Sequence, residues 1–425
     1  MDYLKNLEPF IKQGPTGQYA RKIWFLYEWF THKKLNLDNS ASLSYIKLLD
    51  ENKYFCVVGV KSSRHKIINN MIATEDFCFT ILKTEKLQGI TQEKIREKTL
   101  NIINSTDKRL ISRAASFLLL ADTKATYEIE GERAPQNRLE RWAKVITEAG
   151  KNQLSLEELE RLHRILIVDE RFIKIGLRDT EVFLGDRDYN QRPKPEFIGA
   201  KEKDLNTLMN SWLQLNKMLK ESKLDPILQT AIIAFSFVYI HPLHDGNGRL
   251  HRYLLHHVLA DRGFTPKGVI FPISSVIFDR IEEYKKILIE ISGPLMELIE
   301  WECDERFNVL ILNETQNLYQ YYDFTSIAEF LYEVVKTTIE VNLPNELEEL
   351  KMYDEAYEKV SNYIEMPEST ISLLINVIKD NNFNLSKTKK NRFFSKLTEK
   401  EIRDIEELIR EAYERKIQAT ILHKT

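Results

Sequence analysis

The chain has little cysteine, no long apolar run and almost no net charge. Its three cysteines are far apart, odd in number and without the spacing of metal ligands, so we expect a reducing intracellular setting. The longest apolar run, residues 231–240, is about half as long as a membrane-spanning helix. Residues 1–10 carry charges where a signal peptide needs an apolar stretch. We therefore expect a cytoplasmic protein without a membrane partner, and the net charge of −3 gives no overall reason to expect nucleic acid.

The chain also lacks the internal repeats, low-complexity segments and Gly/Ser linkers that would divide it sharply. Its 425 residues have room for about two to four domains. The N-terminal part mixes helical stretches with an apolar segment, residues 54–60, that predicts a strand. From about residue 107 the apolar residues recur at helical spacing. We predict a mainly α protein with one small β-hairpin, divided into a mixed region at 1–106, a helical core at 107–300 and a C-terminal helical region at 301–425.

Local residue patterns mark where helices begin and end. Residues 110–130 have the spacing of one helix that ends at Gly131, the usual residue just past a helix end. Thr398 followed by Glu401 predicts the capped start of a last helix. Residues 180–195 interrupt the helical pattern with glycine, asparagine and proline, which predicts a short hairpin or an exposed loop.

One segment, residues 241–252, concentrates chemically active side chains and reads His-Pro-Leu-His-Asp-Gly-Asn-Gly-Arg-Leu-His-Arg. The apolar stretch before it, residues 227–240, predicts a core helix that Pro242 ends. After it, Leu250 and the apolar residues that follow recur at helical spacing. The segment is therefore predicted to be a tight loop between two core helices.

This loop has the features of an anion site. Gly246 and Gly248 let a ligand approach the backbone closely, and the amides here begin a helix, where unpaired N–H groups favour an anion. Arg249 and Arg252 are close enough in sequence to share one helical face. Two cations at the positive end of a helix are unfavourable by ~0.3–1 kcal/mol each. A bound polyphosphate would remove that conflict.

Two further residues of the loop indicate group transfer. Asp245 is a hard oxygen ligand beside the anion site, as a phosphate-bound Mg²⁺ requires. His241 lies on the other side of the loop, and we expect it to have a pKa near neutrality that suits a general base. Each feature alone is more often an ordinary turn or a structural histidine. Together they indicate phosphoryl or nucleotidyl transfer.

The same region holds several histidines, which raises the alternative of a zinc site. They are His241, His244, His251, His256 and His257. No pair of them forms a His-Glu-x-x-His arrangement, and the two arginines would repel a bare dication. We therefore favour a phosphate site over a zinc site.

The segment resembles the Fic-family motif HPFx(D/E)GNGRxxR and departs from it only at Leu243, where the motif has Phe. The resemblance covers about residues 110–300 and implies a helical core with a β-hairpin flap. It also implies a protein adenylyltransferase that transfers AMP from ATP, with Mg²⁺ or Mn²⁺, to a Ser, Thr or Tyr hydroxyl of a target protein, this chain included. Residues 180–195 would be the flap, which holds the target segment by backbone pairing.

The resemblance also implies roles for the residues of the motif. His241 would deprotonate the target hydroxyl, and Asp245 would hold the metal that bridges the α- and β-phosphates. The anion hole would be formed by Gly246, Asn247 and Gly248.

The remaining cationic and aromatic roles follow in the same way. Arg249 would hold phosphate oxygens, and Arg252 would hold the γ-phosphate. Tyr284, in a helix after the motif, would line the adenine pocket, and the alternative is that it belongs to the core.

A second pattern, from Thr126 to Gly131, resembles the inhibitory pattern (S/T)xxxE(G/N) of the Fic subclass whose inhibitor precedes the core. It implies an inhibitory helix at about residues 110–131 in which Glu130 competes for Arg252. A carboxylate at the negative end of a helix is unfavourable unless a cation meets it, which agrees with such a pairing.

Other functions stay open at this point. The same site could use another nucleotide, or remove AMP from modified targets with Glu130 positioning a water. A nucleotide-sensing binding module is an alternative of a different class, although the presence of both His241 and Asp245 argues against it. We also consider a homodimer. The basic run at 387–396 raises nucleic acid as a partner, but such a run is more often a solvated surface.

Overall fold

The fold is described from a computed structural model of the chain. The structure describes residues 7–42, 44–92, 95–167, 171, 173–265 and 269–413. These residues form two compact units, one within residues 1–100 and 118–339 and the other within residues 101–117 and 340–425. The three regions predicted with boundaries at residues 106 and 300 divide the chain by expected function and not by compactness, and they stay a prediction.

The N-terminal part of the chain combines short helices with short strands. In chain order these are α1 (Leu7–Gln13), α2 (Gln18–Thr31), β1 (Ile46–Lys47), β2 (Val60–Ser62), β3 (Ile67–Asn69), β4 (Ile72–Ala73), β5 (Cys78–Thr80), α3 (Glu85–Gln92) and α4 (Ile95–Ser105). Strand β3 pairs in parallel with β1 and antiparallel with β2, while β4 pairs antiparallel with β5. The strand predicted over residues 54–60 is wrong except at Val60, where β2 begins, because Phe55 and Val57 donate single backbone bonds to different segments instead of forming a ladder.

The middle of the chain is a helical core that carries one hairpin. Its elements are α5 (Lys108–Ile129), α6 (Gln136–Ile146), α7 (Leu156–Leu166), β6 (Phe183–Arg187), β7 (Pro193–Ile198), α8 (Leu205–Glu221), α9 (Pro226–Ile240), α10 (Asn247–Asp261), α11 (Ile273–Asp279) and α12 (Ile281–Met296). Helix α9 is buried on nearly every side, as expected for a helix that is apolar all round. It packs against α8 and α10 and so forms the centre of the larger unit.

The hairpin predicted over residues 180–195 is present, and its second strand continues to Ile198. Strands β6 and β7 pair antiparallel, and their register shifts between Leu184 and Gly185. Gly185 has a φ of +135°, and a side chain there would collide with the backbone of Lys194. The irregularity in the hairpin therefore depends on glycine.

The C-terminal part begins with strands, not helices. Its elements are β8 (Trp301–Cys303), β9 (Val309–Ile311), β10 (Tyr321–Asp323), α13 (Thr325–Thr337), α14 (Leu343–Tyr363), α15 (Glu368–Asp380), α16 (Lys387–Phe393) and α17 (Glu399–Ala412). Strands β8 and β9 pair antiparallel, and β10 pairs in parallel with β5. The prediction of one hairpin and of helices throughout after residue 300 is therefore wrong for residues 301–323.

The larger prediction, a mainly α protein, is confirmed. In the smaller unit, apolar side chains of α14, α15 and α17 form a common core. The start of α17 is the predicted capping box, in which Thr398 and Glu401 bond to each other's backbone N–H groups. No helix in the described ranges is both long and apolar enough to cross a membrane.

Candidate active site

The loop between α9 and α10 is held in one shape by its own residues. His241 follows the last residue of α9 with a φ of +55°, and Gly246 precedes α10 with a φ of +83°. The Asn247 side chain accepts a bond from Leu243 N–H at 3.0 Å and donates one to the Leu243 carbonyl at 2.8 Å. This side-chain amide therefore bonds within the loop, and the backbone N–H of Asn247 is its candidate contribution to the predicted anion hole.

The imidazole of His241 is arranged as a neutral base. Its Nδ1 lies 3.1 Å from the Val238 carbonyl, which can only accept, so Nδ1 carries the proton and Nε2 keeps its lone pair. Burial lowers the pKa of His241 to about 4, with a further contribution from the positive charge of Arg178. The predicted pKa near neutrality is therefore wrong, because the sequence does not reveal how completely this ring is removed from water.

Arg178 joins the loop between α9 and α10 to the hairpin of β6 and β7, and sequence reasoning missed it. Its guanidinium donates to the carbonyls of His241 at 2.8 Å, Thr180 at 2.7 Å and Ala200. The side chain is buried, and burial lowers its pKa to about 10. Thr180 and Ala200 flank the hairpin, so one cation fixes both ends of the hairpin against the backbone of His241. No local motif marks an isolated arginine of this kind.

Asp245 and Arg249 lie together at the mouth of the loop. Arg249 Nη2 lies 2.9 Å from each carboxylate oxygen of Asp245. The Asp245 side chain is 48% exposed while Arg249 is only 2% exposed, so the carboxylate can turn outward and the guanidinium cannot. The Arg249 guanidinium also lies 5.7 Å from the centre of the Tyr127 ring and 3.6 Å from Glu132.

The predicted contact between the end of α5 and Arg252 is present. Arg252 Nη2 donates to Glu130 Oε1 at 2.5 Å and to the Thr126 carbonyl at 3.0 Å. Burial alone would raise the pKa of Glu130, but the charges of Arg252 and Arg249 outweigh it and lower that pKa below its usual value. Glu130 is therefore ionised at neutral pH and is in position to compete with a phosphate for Arg252.

The Glu130 carboxylate also approaches the first turn of α10. A Cβ added at Gly248 would collide with this carboxylate, at 2.9 Å from its Cδ. An anionic group of the chain thus lies against the helix N-terminus, where free N–H groups attract negative charge. The absence of a side chain at Gly248 permits this approach and would permit that of a phosphate oxygen.

Arg249 and Arg252 have buried N–H groups for which no described residue is an acceptor. In the part of the chain that the structure describes, nothing accepts a hydrogen bond from Nε and Nη1 of Arg249 or from Nε of Arg252, although these atoms are buried. Buried polar groups are normally hydrogen-bonded, and planar guanidinium groups suit phosphate oxygens. The donor set therefore fits a polyphosphate.

The carboxylate of Asp245 is suited to hold a metal ion that is bound to such a polyphosphate. Among the described residues, no three His, Cys, Asp or Glu side chains gather closely enough to hold a metal ion by themselves. A nucleotide-bound Mg²⁺ takes most of its ligands from phosphates and water, so one accessible carboxylate is enough. Asp245 is such a carboxylate.

The neighbouring histidines are each engaged separately. His244 lies 3.0 Å from Asp179, His251 Nδ1 lies 2.8 Å from the Ala234 carbonyl, and His256 Nε2 lies 2.8 Å from Asp122. His257 Nδ1 accepts from Gly150 N–H at 3.2 Å. Their ring nitrogens thus serve different elements of the fold.

Tyr284 lies in α12 and is buried among aromatic rings. Its ring centre is 6.2 Å from that of His251 and 6.3 Å from that of Phe235. Burial raises its pKa to about 12, and the nearby charge of Arg252 acts in the opposite direction. Tyr284 is therefore both a core residue and a neighbour of Arg252, and its contact with adenine stays a prediction.

Comparison with known proteins identifies the segment that carries this site. Residues 153–259 match the Fic/DOC family. The chain is 28% identical over 152 residues to protein adenylyltransferase fic-1 of Caenorhabditis elegans. This match covers 35% of this chain and 27% of that protein. It is 30% identical over 157 residues to protein adenylyltransferase Fic of Nematostella vectensis. This match covers 36% of this chain and 33% of that protein. The chain thus spans about a third or less of the length of these relatives.

Solved structures with the same domain name are also similar. A Fic domain-containing signalling protein from Bacteroides thetaiotaomicron VPI-5482 aligns with a TM-score of 0.43 and 17% identity, over 61% of this chain and 96% of that chain. A Fic family protein from Desulfovibrio desulfuricans G20 aligns with a TM-score of 0.40 and 18% identity, over 70% of this chain and 87% of that chain. On the family match and the named relatives, the chain contains a Fic domain.

Proposed function

We propose that this protein is a protein adenylyltransferase that transfers AMP from Mg-ATP to a Ser, Thr or Tyr hydroxyl of a target protein. The observation that carries the proposal is that a neutral imidazole in the loop between α9 and α10 is followed by phosphate-binding groups in the first turns of α10. His241 keeps the lone pair of Nε2, and Arg249 and Arg252 have buried N–H groups for which no described residue is an acceptor. The printed names of the matched relatives, protein adenylyltransferases, support the same reaction.

The phosphates of ATP would be held by this chain's own donors. Arg249 and Arg252 would supply N–H groups, and the amides at the start of α10 would receive oxygens past Gly248. Asp245 would turn from Arg249 to hold Mg²⁺, with Mn²⁺ as the alternative ion. The metal would neutralise phosphate charge and orient the leaving group.

Transfer then needs one base and one displacement. The target hydroxyl loses its proton to Nε2 of His241 as its oxygen bonds to the α-phosphorus, and the bond from that phosphorus to the pyrophosphate oxygen breaks. The bond between Nδ1 of His241 and the Val238 carbonyl keeps the ring in the tautomer that this step needs. Arg178 keeps the backbone of His241 in place.

The target would approach along the flap. The end of β7 lies beside the base, since the rings of Phe197 and His241 are 5.8 Å apart and a Cβ added at Gly199 would lie 3.0 Å from Cβ of His241. An extended segment added to the hairpin by backbone pairing would therefore bring a hydroxyl side chain near Nε2. Leu184 is half exposed on β6 and is available to contact such a segment.

Glu130 would hold the enzyme in an inhibited state. Its carboxylate forms an ion pair with Arg252, the residue proposed to bind the γ-phosphate. ATP bound beside this pair would have its γ-phosphate displaced and its α-phosphorus badly aligned. Misplacement on the scale of ~1 Å can cost on the order of 10²-fold in rate.

Removal of AMP from modified targets is the second candidate reaction. It is favoured by the ionised state of Glu130 beside the phosphate site, because such a carboxylate can position a water. Use of another nucleotide changes the specificity but not the roles above. The cytoplasmic setting, a homodimer and the lack of a nucleic-acid partner remain predictions.

The proposal is tested with ATP labelled on either the α- or the γ-phosphate. Glu130→Gly protein is incubated with each form, and the same variant carrying His241→Ala serves as the control. Adenylyl transfer puts the α-label on protein and releases pyrophosphate, and the control stays unlabelled. Retention of the γ-label would indicate phosphoryl transfer instead. If a folded Glu130→Gly protein takes up neither label, by itself or on proteins of a cell extract, the proposed activity is wrong.

A further inference from the structure

A stripe of polar side chains joins α5 to α10. Asp122 and Thr126 lie on one face of α5, and Glu130, just past its last residue, continues the same four-residue spacing. Arg252 and His256 have the same spacing on α10. Glu130 meets Arg252, and Asp122, two turns earlier in α5, meets His256, one turn later in α10, at 2.8 Å. Two polar contacts thus join α10 to α5 and to the residue that follows it.

Asp122 is the most deeply buried member of this stripe. Its side chain is fully buried, yet its carboxylate accepts bonds from the Ser274 N–H at 2.5 Å and the Ser274 hydroxyl at 3.0 Å, besides the contact with His256. The Thr126 hydroxyl donates to that of Ser274 at 3.0 Å and extends the network one turn towards Glu130. A buried carboxylate is tolerated only when it is paired and hydrogen-bonded, and these donors meet that requirement.

We infer that Asp122 is a positioning residue that keeps α5 in the register where Glu130 reaches Arg252. Helix α5 ends at Ile129, and Gly131 leaves the helical conformation with a φ of +71°. Glu130 therefore sits at a helix end, where the backbone has few bonds of its own. A shift of α5 along α10 would leave the carboxylate of Asp122 buried without its partners, which is strongly unfavourable.

This inference rests on the inhibitory role of Glu130 in the proposed function. It adds that inhibition depends on a residue two helical turns away that does not touch the phosphate site. The contact of Asp122 is polar and specific. Its loss would therefore allow α5 to shift along α10 without creating a cavity in the apolar core.

The test replaces Asp122 with asparagine, which has the same shape but cannot accept bonds at both terminal atoms. AMP incorporation from α-labelled ATP should rise about tenfold, the factor that corresponds to ~1.4 kcal/mol. Hydrogen exchange of the amides of residues 127–131 should become faster. The matched control is Thr123→Val, since Thr123 is equally buried in α5 but, among the described residues, its hydroxyl bonds to the Leu119 carbonyl of the same helix alone. This control should leave both readouts unchanged.

A double variant separates positioning from general destabilisation. In a Glu130→Gly background, Asp122→Asn should give no further rise in incorporation, because the group that it positions is already absent. The inference is overturned if folded Asp122→Asn protein keeps the wild-type exchange rate at residues 127–131, or if it changes incorporation by the same factor in both backgrounds. Failure of the proposed function looks different: Glu130→Gly itself would then not raise incorporation, while hydrogen exchange would still report on Asp122.

Discussion

Replacing Glu130 with glycine should raise AMP transfer well above the wild-type level. The change removes the carboxylate that occupies Arg252 and leaves the end of α5 otherwise unaltered, because the helix already stops at Ile129. Arg252 is then free to receive the γ-phosphate. If the inhibited state misplaces the α-phosphorus by ~1 Å, its correction is worth on the order of 10²-fold in rate.

The same change should also lower the free energy of unfolding. The partial exposure of Glu130 limits this loss. Breaking a fully buried ion pair costs ~3–5 kcal/mol. Arg252 is 1% exposed, but the Glu130 side chain is 35% exposed, so solvent already screens part of the interaction. Arg252 also keeps its bond to the Thr126 carbonyl. We therefore expect a loss of ~1–3 kcal/mol, and the loss should shrink in saturating Mg-ATP because the γ-phosphate replaces the carboxylate.

The assay is incorporation of α-labelled AMP, run beside thermal melts with and without Mg-ATP. The matched control is Glu128→Gly, which removes a carboxylate from the same turn of α5. Glu128 lies 3.6 Å from Lys124 and does not pair with Arg252. The control should melt earlier without becoming more active. Equal or lower incorporation by a folded Glu130→Gly protein would refute the inhibitory role and leave the catalytic role of the loop intact.

Two further outcomes follow from the geometry. Asp245→Ala should remove the Mg²⁺ dependence of ATP binding measured by calorimetry, and an unchanged dependence on Mg²⁺ would contradict the metal role. The protein should lose stability as the pH falls from about 6.5 towards 4, because burial lowers the pKa values of His163, His241 and His257 to about 4 and protons bind the unfolded chain first. Each such histidine should cost ~1 kcal/mol at pH 5.5. Thermal melts that do not change between pH 7 and pH 5 would contradict this.

The parts of the site that the sequence predicted are those set by neighbouring residues. Pro242 and Gly246 define the turn of the loop locally, and α9 does end immediately before the loop. Gly131 similarly marks the end of α5. The pairing of Glu130 with Arg252 spans a long stretch of chain, and only the resemblance to a family pattern indicated it.

The parts that the sequence did not predict depend on contacts between distant segments. Arg178 bonds to His241 and to both ends of the flap, but nothing beside it in the sequence marks it. Strand β10 pairs with β5, far upstream in the chain, so its own few residues give too short a pattern to detect. The low pKa of His241 has the same origin, because burial arises from the packed fold and not from the motif.

The role of His241 is the central claim, and one comparison tests it most directly. AMP transfer and ATP affinity are measured for His241→Ala in the Glu130→Gly background, with His244→Ala as the matched control. His244 is a neighbouring histidine of the loop that bonds to Asp179 at the surface. We predict that His241→Ala lowers the rate by ~10²–10⁴-fold while ATP affinity by calorimetry stays nearly unchanged, and that His244→Ala retains transfer. Near-normal transfer by folded His241→Ala protein would contradict the account.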